Sequence, residues 1–268
     1  MTDKKDILLA RLRAAVREQM SERTAEREDA IAKMTALGTQ EDDATINTLI
    51  TYLQQTDNAL LRPLAASRLA EIGNETVQNV ILSLFSRIED REVRLLIMQI
   101  CADIGNEKMT PALISVLDNA DEAQDVRQRA AFALGKCGGE GAYEALMRTL
   151  DTEGEGGILQ QAITALGWLG DDRCVPDMVQ IMQAHPDKET QTFAAEALGR
   201  LGSSRAYAPL VATLQDTNMK PIVRYYAAYA LGLLGDERAI AVLETVANDA
   251  DEHGWVAQMA GESLVKLA

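Results

Sequence analysis

Few residues in this 268-residue chain have the chemistry for catalysis, and those few stand at unhelpful spacings. The two histidines, His185 and His253, are followed by Pro186 and Gly254 rather than by an acid. His185 reads as a turn residue and His253 as the residue just before the last helix, and neither has a partner at metal-ligand spacing. With so few histidines, no Ser/His/Asp arrangement can be drawn. Cys101, Cys137 and Cys174 show no C-x-x-C spacing, and Cys101 and Cys137 fall where an apolar residue otherwise recurs, so they read as small core residues. The glycine-rich run at 154–157 follows no strand, which makes it a turn and not a phosphate loop. The sequence therefore assigns no catalytic residue, no metal ligand and no cofactor.

Two other residue types recur with a pattern. Aromatics make up only 4% of the chain, yet Phe132, Trp168, Phe193, Tyr226 and Tyr229, with Tyr225 beside them, gather on one set of related positions. Large aromatics at otherwise polar, varied positions are natural anchors for a partner. An arginine also recurs eleven residues before a glycine, as Arg27, Arg62, Arg94, Arg127 and Arg224. The guanidinium fork suits the bonding of neighbouring turns, so these are expected to form a structural ladder. Leu159, Gln191 and Ala257 depart from that pattern.

The elements that must position these side chains come from an internal repeat. A segment of the form A-x-A-L-G-x-L-G recurs, and its final glycines are Gly73, Gly105, Gly138, Gly170, Gly202 and Gly235, at steps of 32 or 33 residues. Leu49, Ile81, Leu113, Leu146, Met178, Leu210 and Leu243 keep the same period independently. Each unit holds a short first helix with apolar residues at i, i+3, i+4 and i+7, then a second helix of about four turns ending at the glycine. A glycine there takes the left-handed conformation that closes a helix. A hairpin of this size cannot bury its apolar face alone, so neighbours must stack. The expected organisation is an N-terminal helical cap over 1–43, a divergent repeat including a helix over 3–20, followed by seven repeats over 44–268.

These residues resemble the HEAT repeats of the type found in phycobilisome lyases. The likeness is carried by VRYYAAYALGLLGDERAIAVLETV at 223–246 and FAAEALGRLGSSRAYAPLVATL at 193–214. The resemblance implies an all-α, right-handed α-solenoid of tandem antiparallel helix pairs, of HEAT-like or armadillo type, with the second helices lining the concave surface. It also implies that the aromatic stripe faces the groove and that the recurrent arginine lies near the start of the second helix. Deoxyhypusine hydroxylase, which shares the fold, holds two irons with His-Glu pairs, and this chain has none. HEAT-like DNA glycosylases need a basic concave face, which the overall charge opposes.

The formal net charge is −15, from 41 acidic and 26 basic side chains. Such a surface repels phosphate backbones and anionic membranes, so no nucleic acid is expected, and a partner with a basic surface is favoured. No apolar stretch reaches the roughly 18 residues of a membrane span, which excludes membrane insertion. The charged start of the chain has no signal-peptide core, and the cysteine usage is intracellular; a cytoplasmic location is expected. The function expected is that of a non-enzymatic scaffold or adaptor holding a protein or peptide in the concave groove. The alternative is a phycobilin lyase-like protein that binds a bilin chromophore and attaches or detaches it on a phycobiliprotein. Oligomeric state is not encoded in any pattern found here.

Overall fold

The computed structural model of the chain describes residues 24–267, apart from 57, 59, 86 and 153–155. The expected helix over 3–20 lies outside the described residues, as do positions 154 and 155 of the glycine-rich run. Among the described residues every regular element is helical. No helix among them is long and apolar enough to cross a membrane. The chain forms two compact units, Met1–Ile100 and Cys101–Ala268.

In the first unit, residues 24–37 form α1. It is followed by α2 (Asp43–Gln54), α3 (Leu61–Ile72), α4 (Glu75–Leu84) and the start of α5 (Arg91–Ile104). Asp42 and Asn74 accept backbone N–H groups of Thr45 and Val77, capping α2 and α4. Leu49, Leu53, Leu61, Leu69 and Ile81 are fully buried between these helices. Each such side chain contributes about 1.5–3 kcal/mol on leaving water.

The second unit continues the alternation of short and long helices. After α5 come α6 (Thr110–Asp118), α7 (Gln124–Cys137), α8 (Ala142–Thr152), α9 (Gly157–Leu169), α10 (Val175–Ala184), α11 (Lys188–Leu201), α12 (Tyr207–Gln215), α13 (Pro221–Leu234), α14 (Ile240–Asn248) and α15 (Gly254–Leu267). Each short helix packs on the long helix that follows it, and each long helix packs on the next long one. This is an all-α solenoid of tandem helix pairs. Its core is the row of alanines and leucines that the repeat places on the inner faces, including Ala130, Leu134, Ala162, Leu166, Ala194, Leu198, Ala227 and Leu231.

The repeat glycine closes α3, α5, α7, α9, α11 and α13 with positive φ, for example 75° at Gly170 and 72° at Gly235. After it, Asn106, Asp171, Ser203 and Asp236 each accept a backbone N–H two residues on, which opens a single 3-10 turn leading into the next short helix.

The other glycine of the A-L-G-x-L-G segment has a different role. A Cβ on Gly135 would stand 2.6 Å from the Cα of Ala165, one on Gly167 2.9 Å from the Cα of Ala197, and one on Gly232 2.6 Å from the Cβ of Ser263. Gly199 faces Leu233 in the same way. Successive long helices approach so closely at this position that no side chain fits between them.

Candidate functional site

The close approach at Gly135, Gly167 and Gly199 has a direct consequence for the residue that follows each. Lys136, Trp168 and Arg200 are drawn together across α7, α9 and α11. The Lys136 ammonium lies 3.9 Å from the Trp168 ring centroid, and the Arg200 guanidinium 6.0 Å from it. Phe132, one turn before Lys136, meets Trp168 edge-on at 5.0 Å. Both rings are half-buried, while Lys136 and Arg200 are exposed. Two cations sharing one indole are held by its quadrupole, worth about 0.5–1 kcal/mol each at an exposed site.

A second aromatic cluster lies on α13. Tyr225 and Tyr226 meet edge-on at 5.6 Å, and Lys266 of α15 sits 4.7 Å over Tyr229. Tyr225, Tyr226 and Tyr229, with Thr192 and Glu196 of α11, Ile222 of α13 and Trp255 of α15, line an open depression of about 550 Å³. Glu196 reaches Arg200 at 3.6 Å, which links this depression to the Trp168 cluster. Burial, then the Glu196 carboxylate, raises the Tyr229 phenol above its usual pKa. Burial and Glu262 do the same for Tyr225. Both phenols are therefore neutral donors across the physiological range.

Of the six aromatics expected on this face, five are half-buried on the long helices. Tyr226 is only 9% exposed, and its hydroxyl lies 3.4 Å from the Lys188 carbonyl. Phe193 lies on α11 between the two clusters in sequence. Trp255, 64% exposed, was not singled out from the sequence because it precedes the periodic part of its helix. Its position matches that of Ile222, thirteen residues before the repeat glycine, and that spacing was the available signal.

The recurrent arginines have separate partners. Arg94 donates to the carbonyls of Phe85 and Ile88, at 3.2 and 3.0 Å, and Arg127 to that of Leu117 at 2.9 Å. Arg224 donates to the Leu214 carbonyl at 2.8 Å and forms a bidentate pair with Glu252 at the following repeat. Arg62 differs: its partners are the carboxylates of Asp90 and Glu92, at 3.3 and 2.8 Å. Arg27 is exposed on α1. Where the arginine is replaced by Gln191, the amide donates to the His185 carbonyl at 2.9 Å, so a shorter side chain performs the same bonding.

Two tyrosines outside the long helices join the turns. Arg173 pairs with Asp171 and stacks 4.0 Å over Tyr143, and Arg238 pairs with Asp236 and stacks 4.4 Å over Tyr207. These contacts tie one repeat to the next at the turns that follow α9 and α13. The cysteines are buried, and burial raises the thiols of Cys137 and Cys174 to about 11 and that of Cys101 further. Protonated and enclosed, they are not poised as nucleophiles. Among the described residues no group of His, Cys, Asp or Glu could hold a metal ion.

Comparison with solved structures places this architecture among known ones. The complex of CpcE and CpcF of phycocyanin lyase from Nostoc sp. PCC7120 is similar over 82% of this chain and 87% of its own, at 24% identity and a TM-score of 0.51. Human deoxyhypusine hydroxylase in complex with glycerol matches over 84% of this chain and 96% of its own, at 17% identity and a TM-score of 0.36. The Escherichia coli protein YibA matches over 83% and 80%, at 18% identity and a TM-score of 0.48. No curated protein matches the chain at a significant level. The family model for HEAT repeats matches residues 79–167, 110–184, 150–220 and 175–265, which together run unbroken through most of the chain. The helix pairs, the repeat glycines and these matches agree, and the chain belongs to the HEAT-repeat family.

Proposed function

We propose that this HEAT-repeat chain is a non-enzymatic scaffold whose long-helix face in the second unit holds a protein or peptide partner. One observation carries the reading: half-buried aromatics on successive long helices form two clusters joined by the Arg200–Glu196 pair, beside an open depression of about 550 Å³. Rings already ordered by packing lose little entropy on binding, which is what makes aromatic side chains good anchors. The acidic surface elsewhere favours encounter with partners that carry basic surface.

The test starts from peptides selected out of a random library by the immobilised chain. The triple variant Trp168→Ala, Phe193→Ala, Tyr229→Ala is expected to lose at least tenfold in affinity for them, with its helical circular dichroism retained. Equal affinity in the variant and the parent contradicts the proposal.

A second reading is favoured by the same depression, because Tyr225, Tyr226, Tyr229 and Trp255 also suit a conjugated ligand. In that reading the chain binds a bilin, as the chromophore of the phycobiliprotein named with the CpcE–CpcF complex suggests. Mixing the chain with phycocyanobilin should then shift the pigment's visible absorbance, and an unshifted spectrum removes this reading.

A further inference from the structure

The charge on the long-helix face differs from that of the whole chain. From α7 to α15, the aromatic stripe occupies the positions two, six and nine residues before Gly138, Gly170, Gly202, Gly235 and the matching Ala268, and these positions also carry Arg129, Lys136, Arg200 and Lys266, against Glu196 and Glu262. The face is thus net positive on a chain whose net charge is −15. All four cations are exposed. Glu196 is already engaged by Arg200 at 3.6 Å, and Glu262 accepts from Gln258 at 2.9 Å. Lys136 has no acid one turn back on its own helix, where Phe132 stands instead. Its ammonium is placed by Trp168 and Phe132, at 3.9 and 6.0 Å from their centroids.

The placement has a structural cause. Gly135 brings α7 against α9 and Gly167 brings α9 against α11, so the residues that follow, Lys136 and Trp168, are held beside one another and beside Arg200. An ammonium held against an indole is partly pre-ordered, yet its remaining N–H donors face solvent. Such a cation is suited to receive an anion, because the side-chain entropy of fixing a lysine has already been spent in part. The rings beside it exclude water from one side and offer apolar surface to whatever accompanies the anion.

We infer that the strip formed by Lys136, Trp168 and Arg200 recognises a carboxylate on the bound segment, set next to an apolar side chain. The partner peptide is therefore acidic and apolar at this point, whatever the charge of the rest of its surface. Long-range attraction between an acidic chain and a basic partner governs encounter, whereas the contact at the strip selects the anchor. The Lys136 ammonium and the Arg200 guanidinium lie 3.9 and 6.0 Å from the same Trp168 centroid, so the two charges sit close enough for one short segment to reach both. An extended segment rises about 3.3 Å per residue. It would meet both cations through acids about three residues apart, or meet one of them through a single acid.

This inference rests on the peptide-binding reading, and calorimetry on the full chain separates the two. Three nine-residue peptides serve as probes: repeats of Glu-Leu-Gly, of Gln-Leu-Gly and of Lys-Leu-Gly. The Glu peptide is expected to bind at least tenfold tighter than the Gln peptide, and that advantage should vanish in the double variant Lys136→Gln, Arg200→Gln. Raising the salt should reduce the advantage as well. If the Lys or Gln peptide binds as tightly as the Glu peptide, and does so only with Trp168 and Tyr229 intact, the carboxylate inference is overturned while the peptide reading stands. An advantage for the Glu peptide that survives the double variant also overturns it, because the anion is then held elsewhere. Binding by none of the three overturns both.

Discussion

At the scale of single residues, the chemistry of this chain is that of bonding and packing. Arg224 shows the principle most clearly, since it and Glu252 are both buried, with side chains 8% and 4% exposed. Removing one partner strands the other charge away from water. Arg224→Met should therefore lower unfolding free energy by about 3–5 kcal/mol, and adding Glu252→Leu should recover most of it. Urea titration of the two variants checks this; a double variant as weak as the single one contradicts it. The thiols give a second residue-scale expectation. An ordinary thiol ionises near 9.0, and Cys137 and Cys174 are held near 11 by burial. Their neutral forms thus contribute stability that is complete below about pH 9 and declines as pH rises toward 11. Native protein should react slowly with a disulfide reagent at pH 8, and all three thiols should react once it is unfolded. Rapid native reaction would place the cysteines outside the core. The sequence reading found the aromatics as a class because they are rare and fall on repeat positions. It did not find Trp255, and it did not foresee that Tyr226 would be largely buried, since period alone does not report how deep a neighbouring helix seats a ring.

At the scale of elements, two glycines in each of the four repeats that end at Gly138, Gly170, Gly202 and Gly235 solve two different problems. The terminal glycine was legible from spacing, because a left-handed residue is what ends a helix. The inner glycine was not, because its reason is a neighbouring helix that no local pattern displays. Gly167→Val should force α9 away from Ala197 and cost about 1–3 kcal/mol, the usual range for overpacking. It should also separate Lys136, Trp168 and Arg200 by displacing the helices that carry them. Thermal unfolding and the near-ultraviolet dichroism of Trp168 report the two effects; an unchanged melting temperature contradicts the close-packing account. The helix caps set a pH dependence. Asp42 and Asp90 accept backbone N–H groups, Asp187 accepts the Thr190 hydroxyl and then backbone N–H groups, and those bonds hold the three carboxyls below the ordinary 3.8. Depressed carboxylates contribute stability that is present above 3.8 and lost as pH falls through the lowered values. Helical signal should hold at pH 4 and fall on further acidification, and loss that begins near neutrality would point to groups other than these caps.

At the scale of the whole molecule, the repeat made the architecture readable while leaving the occupant of its face open. Every repeat shares the core pattern, so thirty-odd residues announce the fold many times over. The face that meets a partner is the part that differs between repeats, and a single chain gives no repetition from which to read it. Charge shows the same division: a total of −15 describes the exterior, whereas the aromatic-stripe positions from α7 to α15 carry four cations against two acids. The central claim is that this face, and no other, holds the partner. Hydrogen exchange on the full chain, with and without a selected peptide, tests it most directly. Protection is predicted on α7, α9, α11 and α13 around Trp168 and Tyr229, with the short helices unchanged. Protection centred instead on the turns joined by Tyr143–Arg173 and Tyr207–Arg238 would contradict it.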